Sequence, residues 1–174
     1  ANVLARIGFF LLALFRLRDL SNKIVAKAVE YGTTYNNALA PYGFHLLKSY
    51  RFEEAKEIYL DMLTRPMNLP LKKVILANLS VVHWKLQQYE DAVRVYEEIL
   101  LDPTYINLIN AGDYATLGFI CMEAGDYEKG ETYTKDALQL TADYAAALDN
   151  LGQMYYLQAD YEKAEDYFLQ ALIQ

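Results

Sequence analysis

Apolar and small residues recur along this chain at three- and four-residue steps. The pattern is sharpest in Ala145–Gln174. There Leu148, Leu151, Gly152 and Tyr155 fall at i, i+3, i+4 and i+7, one face of a helix. After a turn near Gln158–Asp160, Ala164, Phe168 and Ala171 do the same. Large and small side chains alternate on these faces. Gly152, Ala164 and Ala171 let two helix backbones approach, and Tyr155 and Phe168 fill the space beside them. One such hairpin cannot bury its apolar face alone, so it must stack on a neighbour.

This spacing resembles the tetratricopeptide repeat (TPR). Counted from Ala145, the family's large residue, Leu-Gly pair, Tyr, Ala, aromatic and second Ala are matched by Leu148, Leu151-Gly152, Tyr155, Ala164, Phe168 and Ala171. The resemblance extends upstream. From Asn36 the same slots hold Leu39, Tyr42-Gly43, Leu46, Ala55, Tyr59 and Met62, closed by Pro66. From Lys73 they hold Leu76, Leu79-Ser80, His83, Ala92, Tyr96 and Ile99, closed by Asp102-Pro103. From Ala111 they hold Tyr114, Leu117-Gly118, Cys121, Gly130, Thr134 and Ala137. Pro41 conflicts with this register, because an interior proline removes a backbone donor. Its helix is expected to start late, with Pro41 in the first turn, or to kink. Pro70 is expected in the first turn of the helix that follows it. The surplus over a 34-residue period falls at Arg65–Lys72 and Thr104–Asn110, as inter-pair loops.

Residues 1–35 fit less well. Ile7 to Phe15 is a continuous apolar run, followed by Arg16, Arg18, Lys23 and Lys27. With Ala1 as the first position, Leu4, Ile7-Gly8 and Leu11 take the first-helix slots, but Leu20 and Lys27 stand where alanines belong. The segment is either a degenerate helix pair or the tail of a membrane-spanning helix that begins upstream. The run is too short to cross a bilayer unaided, although basic residues behind it fit the positive-inside rule. The resemblance thus implies an all-α, right-handed superhelical solenoid of about ten helices in antiparallel pairs. The expected division is 1–35 for the N-terminal pair or membrane-proximal helix, then four repeats at 36–72, 73–110, 111–144 and 145–174.

Composition narrows the function. The 174 residues include 54% apolar residues and few Pro or Gly, which is a packed rather than a disordered chain. A single Cys excludes an internal disulfide and suits a reducing, cytoplasmic setting. The alternative setting is attachment to a membrane through sequence upstream of Ala1. Net charge is −7, but unevenly spread: ten Lys/Arg against six Asp/Glu in residues 1–72, and six against seventeen in 73–174. The acidic half would repel phosphates, so no nucleic-acid partner is expected.

No catalytic constellation, cofactor motif or metal-ligand spacing is present: no Gly-rich phosphate loop, HExxH, CxxC or GxSxG. His83 and Cys121 occupy a slot that is Tyr155 in the last repeat and read as packed side chains. The acidic residues read as solvated faces. The family resemblance implies instead a concave groove lined by the first helix of each pair. Carried over position by position, it points to Phe44, Lys48, Val81, Trp84, Lys85, Phe119, Met122 and Tyr156. This lining lacks the cations that clamp a peptide C-terminus in some family members. The expected role is a non-catalytic scaffold or adaptor. Its ligand would be a protein or peptide with apolar anchors, and Lys48 and Lys85 would meet an acidic residue. Two other fates stay open for these side chains: packing between repeats, and cover by another part of the chain. The last pair ends without a polar capping helix, which suggests either a longer native chain or self-association through that end.

Overall fold

The computed structural model describes residues 1–173. They form ten α-helices and one short 3-10 helix, with no strand among the described residues. The helices are α1 (Asn2–Phe15), α2 (Arg18–Glu30), α3 (Asn36–Lys48), α4 (Phe52–Leu63), α5 (Leu69–Lys85), α6 (Tyr89–Leu101), α7 (Ala111–Glu123), α8 (Tyr127–Leu140), α9 (Ala145–Leu157) and α10 (Tyr161–Leu172). The 3-10 helix spans Pro103–Leu108. The chain divides into two compact units, Ala1–Leu86 and the residues from Gln87 onward.

In the first unit α1 packs on α2, α3 on α4, and α4 on α5. The α1–α2 contact is close because Ala5 and Gly8 are buried there, and Ser21 Oγ donates to the Gly8 carbonyl at 2.8 Å. Asn2 fastens the other end. Its Oδ1 accepts from Thr33 Oγ1 at 2.7 Å and from the Thr34 amide at 2.8 Å. The α3–α4 contact centres on Gly43, where an added Cβ would stand 2.6 Å from the buried Tyr59 ring.

One expectation about helix starts is corrected, and the other, Pro70 in a first turn, is met. α3 does not start late: it begins at Asn36 and carries Pro41 in its interior. Proline there leaves the Asn37 carbonyl without its helical donor, and Asn37 is exposed, so water can supply one. α5 begins at Leu69, inside the stretch expected to be a loop. Asn68 caps it by accepting from the Leu71 amide at 2.9 Å, and Pro70 sits in its first turn, where a missing amide costs nothing.

In the second unit α6 packs on α7, α7 on α8, α8 on α9 and α9 on α10. Caps are better formed here. Asn110 and Asp113 make a reciprocal capping box at α7, and Asp126 and Asp160 cap α8 and α10. The expected loop at Thr104–Asn110 is largely the 3-10 helix. Asp102 starts it by accepting from the Thr104 amide, and Tyr105 is buried in it. At Gly118 a Cβ would meet Thr134 Oγ1 at 2.3 Å and the Gly130 carbonyl at 3.0 Å, so α7 and α8 touch nearly backbone to backbone. Gly152 repeats the arrangement of Gly43, lying under the Phe168 ring.

No helix among the described residues is long and apolar enough to cross a membrane. The apolar run of Ile7–Phe15 lies within α1, which packs against α2. Gln174, part of the expected uncapped end, lies outside the described residues.

Candidate interaction site

The groove residues inferred from the sequence separate by unit. Phe44, Lys48, Val81, Trp84 and Lys85 belong to the first; Phe119, Met122 and Tyr156 belong to the second. In the first unit, Phe44 stands on α3 and is 45% exposed, with Lys48 Nζ 5.5 Å from its ring centroid. The i, i+4 spacing places both on one helix face. At the end of α5, Lys85 Nζ lies 3.6 Å from the Trp84 ring centroid, a close cation–π contact, and Val81 is half-buried one turn earlier.

Phe44 and Lys48 line a cleft of about 380 Å³ with Leu12, Arg18, Asp19, Asn22, Pro41 and His45. It lies among α1, the start of α2, and α3. A second hollow of about 330 Å³ shares Asp19, Asn22 and His45 and adds Lys23, Tyr42 and Arg51. Burial raises the Tyr42 phenol above its ordinary range. Arg51 is engaged by Glu54, which accepts from it at 2.6 and 2.5 Å and is held below the usual carboxylate range by that bond. The walls therefore carry the cations Arg18, Lys23, Lys48 and Arg51, with Asp19 the one carboxylate among the lining residues. Leu12, Pro41 and Phe44 supply the apolar part of the first cleft's lining.

Of these lining residues the sequence pointed to Phe44 and Lys48, as part of a groove. It missed Arg18, Asp19 and Asn22. These enter because the chain reverses at Arg16, whose φ of 53° is left-handed, and restarts as α2 within two residues. No glycine marks that turn, so the sequence carries no signal for it.

The second unit treats its three residues differently. Met122 is only 7% exposed and packs with Leu151 and Met154, while Phe119 and Tyr155 close over the cluster. Met122 thus fills space between successive helix pairs and presents little surface to a ligand. Tyr156 is 59% exposed and meets Tyr161 edge-on at 5.6 Å. His83 and Cys121 are both buried, as their slot predicts. Burial pushes the Cys121 thiol up to about 12, so it stays protonated at neutral pH.

The second unit has its own, unforeseen cleft of about 710 Å³ between the start of α6 and the α7–α8 turn. Glu90, Asp91, Glu97 and Asp126 line it together with Arg94. Its carboxylates are partly engaged. Glu97 accepts from Lys129 Nζ at 2.7 Å and from the Tyr133 hydroxyl at 2.9 Å, and Arg94 donates to Asp91 at 2.7 Å. The two clefts are opposite in sign. The units are too: residues 1–86 hold twelve Lys/Arg against six Asp/Glu, and residues 87–174 four against seventeen.

Comparison with known proteins settles the family. Two family models, each described as tetratricopeptide repeat, match residues 110–172 and 74–101. This is a TPR protein. One curated relative, "Uncharacterized protein ycf37" of Pyropia yezoensis, is 37% identical over 62 residues, which cover 36% of this chain and 35% of the relative. The match thus spans about a third of that relative's length.

Solved TPR structures are similar along nearly the whole chain. MamA of Desulfovibrio magneticus RS-1, from residue 41 to its end, superposes with a TM-score of 0.76 at 19% identity, covering 98% of this chain and 92% of that one. YrrB, described as a TPR protein with an unusual peptide-binding site, gives 0.70 at 18% identity over 97% and 83%. The Cut9–Hcn1 hetero-tetramer of the APC/C gives 0.69 at 17% over 99% of this chain and 28% of that one. At such identities the likeness speaks for the all-α TPR fold alone.

Proposed function

We propose that this chain is a non-catalytic interaction scaffold, and that the α1–α3 cleft of its first unit receives an apolar side chain flanked by acidic groups of a protein or peptide partner. The observation that carries this reading is the half-exposed Phe44, which lines a cleft with the apolar Leu12 and Pro41 and the cations Arg18 and Lys48. An aromatic anchor desolvates well, and cations at the rim select the charge of what enters. Trp84 with Lys85 offers a second anchor of the same chemistry on α5. Tyr156, with Phe119 beneath the surface, is the corresponding offer of the second unit.

The test uses labelled helical peptides bearing Leu or Trp anchors with either Glu or Lys flanks, read by fluorescence anisotropy. The acidic-flanked set binds more tightly. Phe44→Ala and Lys48→Glu each weaken it by roughly tenfold, the range for loss of an interface anchor. Unchanged affinity in Phe44→Ala, Trp84→Ala and Phe119→Ala alike eliminates the groove.

A second reading keeps the scaffold and adds tethering of the chain at a membrane through sequence ahead of Ala1. It draws its support from the basic residues Arg16, Arg18, Lys23 and Lys27 that follow the apolar α1. Vesicle flotation of the chain with its upstream sequence tests it.

A further inference from the structure

The outer faces of α1 and α10 carry stripes that match each other. On α1, Val3, Ile7, Phe10 and Leu14 follow at i, i+4, i+7 and i+11, and all four are exposed. Arg16 caps the end of this helix, and Arg18 opens α2 just beyond the turn. They too are exposed, and neither joins an ion pair among the described residues. On α10, Glu162, Glu165, Asp166, Leu169 and Leu172 recur at helical spacing, with Ile173 next to the last. All six are exposed, Leu172 by 81%. The acidic residues occupy the start of this stripe and the apolar ones its end. On α1 the order is reversed: apolar first, basic last.

We propose that α10 of one copy docks antiparallel on α1 of a second copy, so that the chain associates head to tail. The spacing fits. Phe10 and Leu14 are four residues apart, about 6 Å along a helix, and so are Leu169 and Ile173. With Leu14 beside Leu169 and Phe10 beside Ile173, antiparallel docking brings Arg16, at the end of α1, toward Glu165 and Asp166. Parallel docking sets that cation against the apolar end instead.

Two further observations choose a second copy as the occupant. The unit that offers α1 is basic and the unit that offers α10 is acidic, so two copies attract in this orientation and repel in the symmetric ones. Within each unit, moreover, consecutive hairpins already pack by laying the second helix of one on the first helix of the next: α4 on α5 in the first unit, α6 on α7 and α8 on α9 in the second. Docking of α10 on α1 repeats that contact between chains. Because the two faces differ, the interface is heterologous and propagates into open chains or closes into a ring.

Sedimentation velocity and light scattering on the whole chain, from micromolar to several hundred micromolar, test the proposal. The mass of wild type rises above 20.0 kDa with concentration. Raising salt from about 50 mM to 0.5 M weakens the association by roughly tenfold or more, as charge pairing at the rim requires. Two variants isolate the faces: Phe10→Glu with Leu14→Glu on α1, and Leu169→Glu with Leu172→Glu on α10. Each alone is monomeric, with an unchanged circular dichroism spectrum. Mixed in equal amounts they form a one-to-one dimer, because each retains the face that the other lacks. A wild type that stays monomeric throughout overturns the proposal, as does a mixture that fails to pair. So does a wild type that stays monomeric but floats with phosphatidylglycerol vesicles through its α1 stripe, which assigns that face to a lipid surface.

Discussion

Two hairpins, α3–α4 of the first unit and α7–α8 of the second, solve the same packing problem in different ways. In the first, the small residue at the centre of a hairpin, Gly43, lies under the Tyr59 ring, and an aromatic side chain fills the gap between α3 and α4. In the second, Gly118 lies against the backbone of α8 at Gly130 and Thr134, and the helices themselves close the gap. An identical slot therefore tolerates either a large plug or none, provided that its partner changes with it. The surfaces diverge further: the first unit is basic and weakly capped, the second acidic with Asn and Asp caps on α7, α8 and α10. Repetition constrains the interior and leaves the exterior free to differentiate.

This contrast can be broken at its strongest point by removing the plug. Tyr59→Ala is expected to cost about 4 kcal/mol, the range for a buried aromatic truncated to alanine. Hydrogen exchange should accelerate chiefly in α3 and α4. Gly118→Ala is the converse test, since it adds volume where backbones meet. About 2–3 kcal/mol is expected, because neither the Gly130 carbonyl nor the Thr134 amide can rotate away. Chemical denaturation measures it, and a loss under 1 kcal/mol would show that α7 and α8 can slide apart.

Smaller effects sharpen the comparison. Tyr50, Gln87, Gly125 and Ala159 all adopt positive φ, between 60° and 85°, each shortly after a helix ends. Only Gly125 adopts this conformation without strain. Ala159→Gly is expected to stabilise by about 1 kcal/mol, read as a raised melting temperature, since it relieves the left-handed penalty in a turn. The least change is expected from Lys129→Ala. Its contact with Glu97 is partly exposed, and Tyr133 still donates to that carboxylate, so about 0.5 kcal/mol is lost. That difference should shrink in salt.

Much of the fold was legible because the informative residues come in pairs across a turn. Gly152 with Phe168, Gly118 with Thr134 and Gly43 with Tyr59 each recur at one separation, and each pair touches. Local capping was harder to read. Pro70 marked the first turn of α5, but the register still began the 73–110 segment at Lys73; the Asn68 cap starts the helix at Leu69, because a good cap outweighs the family's average period. The 3-10 helix was hidden for a related reason: Tyr105 is anchored by burial rather than by any periodic neighbour.

The candidate site was legible only in part. A side chain's position in a repeat says which way it leaves the helix, but not whether another hairpin covers it. Phe44 and Met122 were both expected to line the groove, yet one remains half-exposed while the other packs with Leu151 and Met154. Arg18 and Asp19 reach the cleft through a glycine-free reversal at Arg16, which composition does not announce.

The segregation of charge bears on how this chain behaves in the hand. An isoelectric point near 4.8 describes neither unit, because it averages a cationic stretch with a strongly anionic one. An ion-exchange resin responds to local patches rather than to the total. The same molecule is therefore retained at neutral pH by sulfonate beads through residues 1–86 and by quaternary-amine beads through the remainder, and its elution from each reports on a different half.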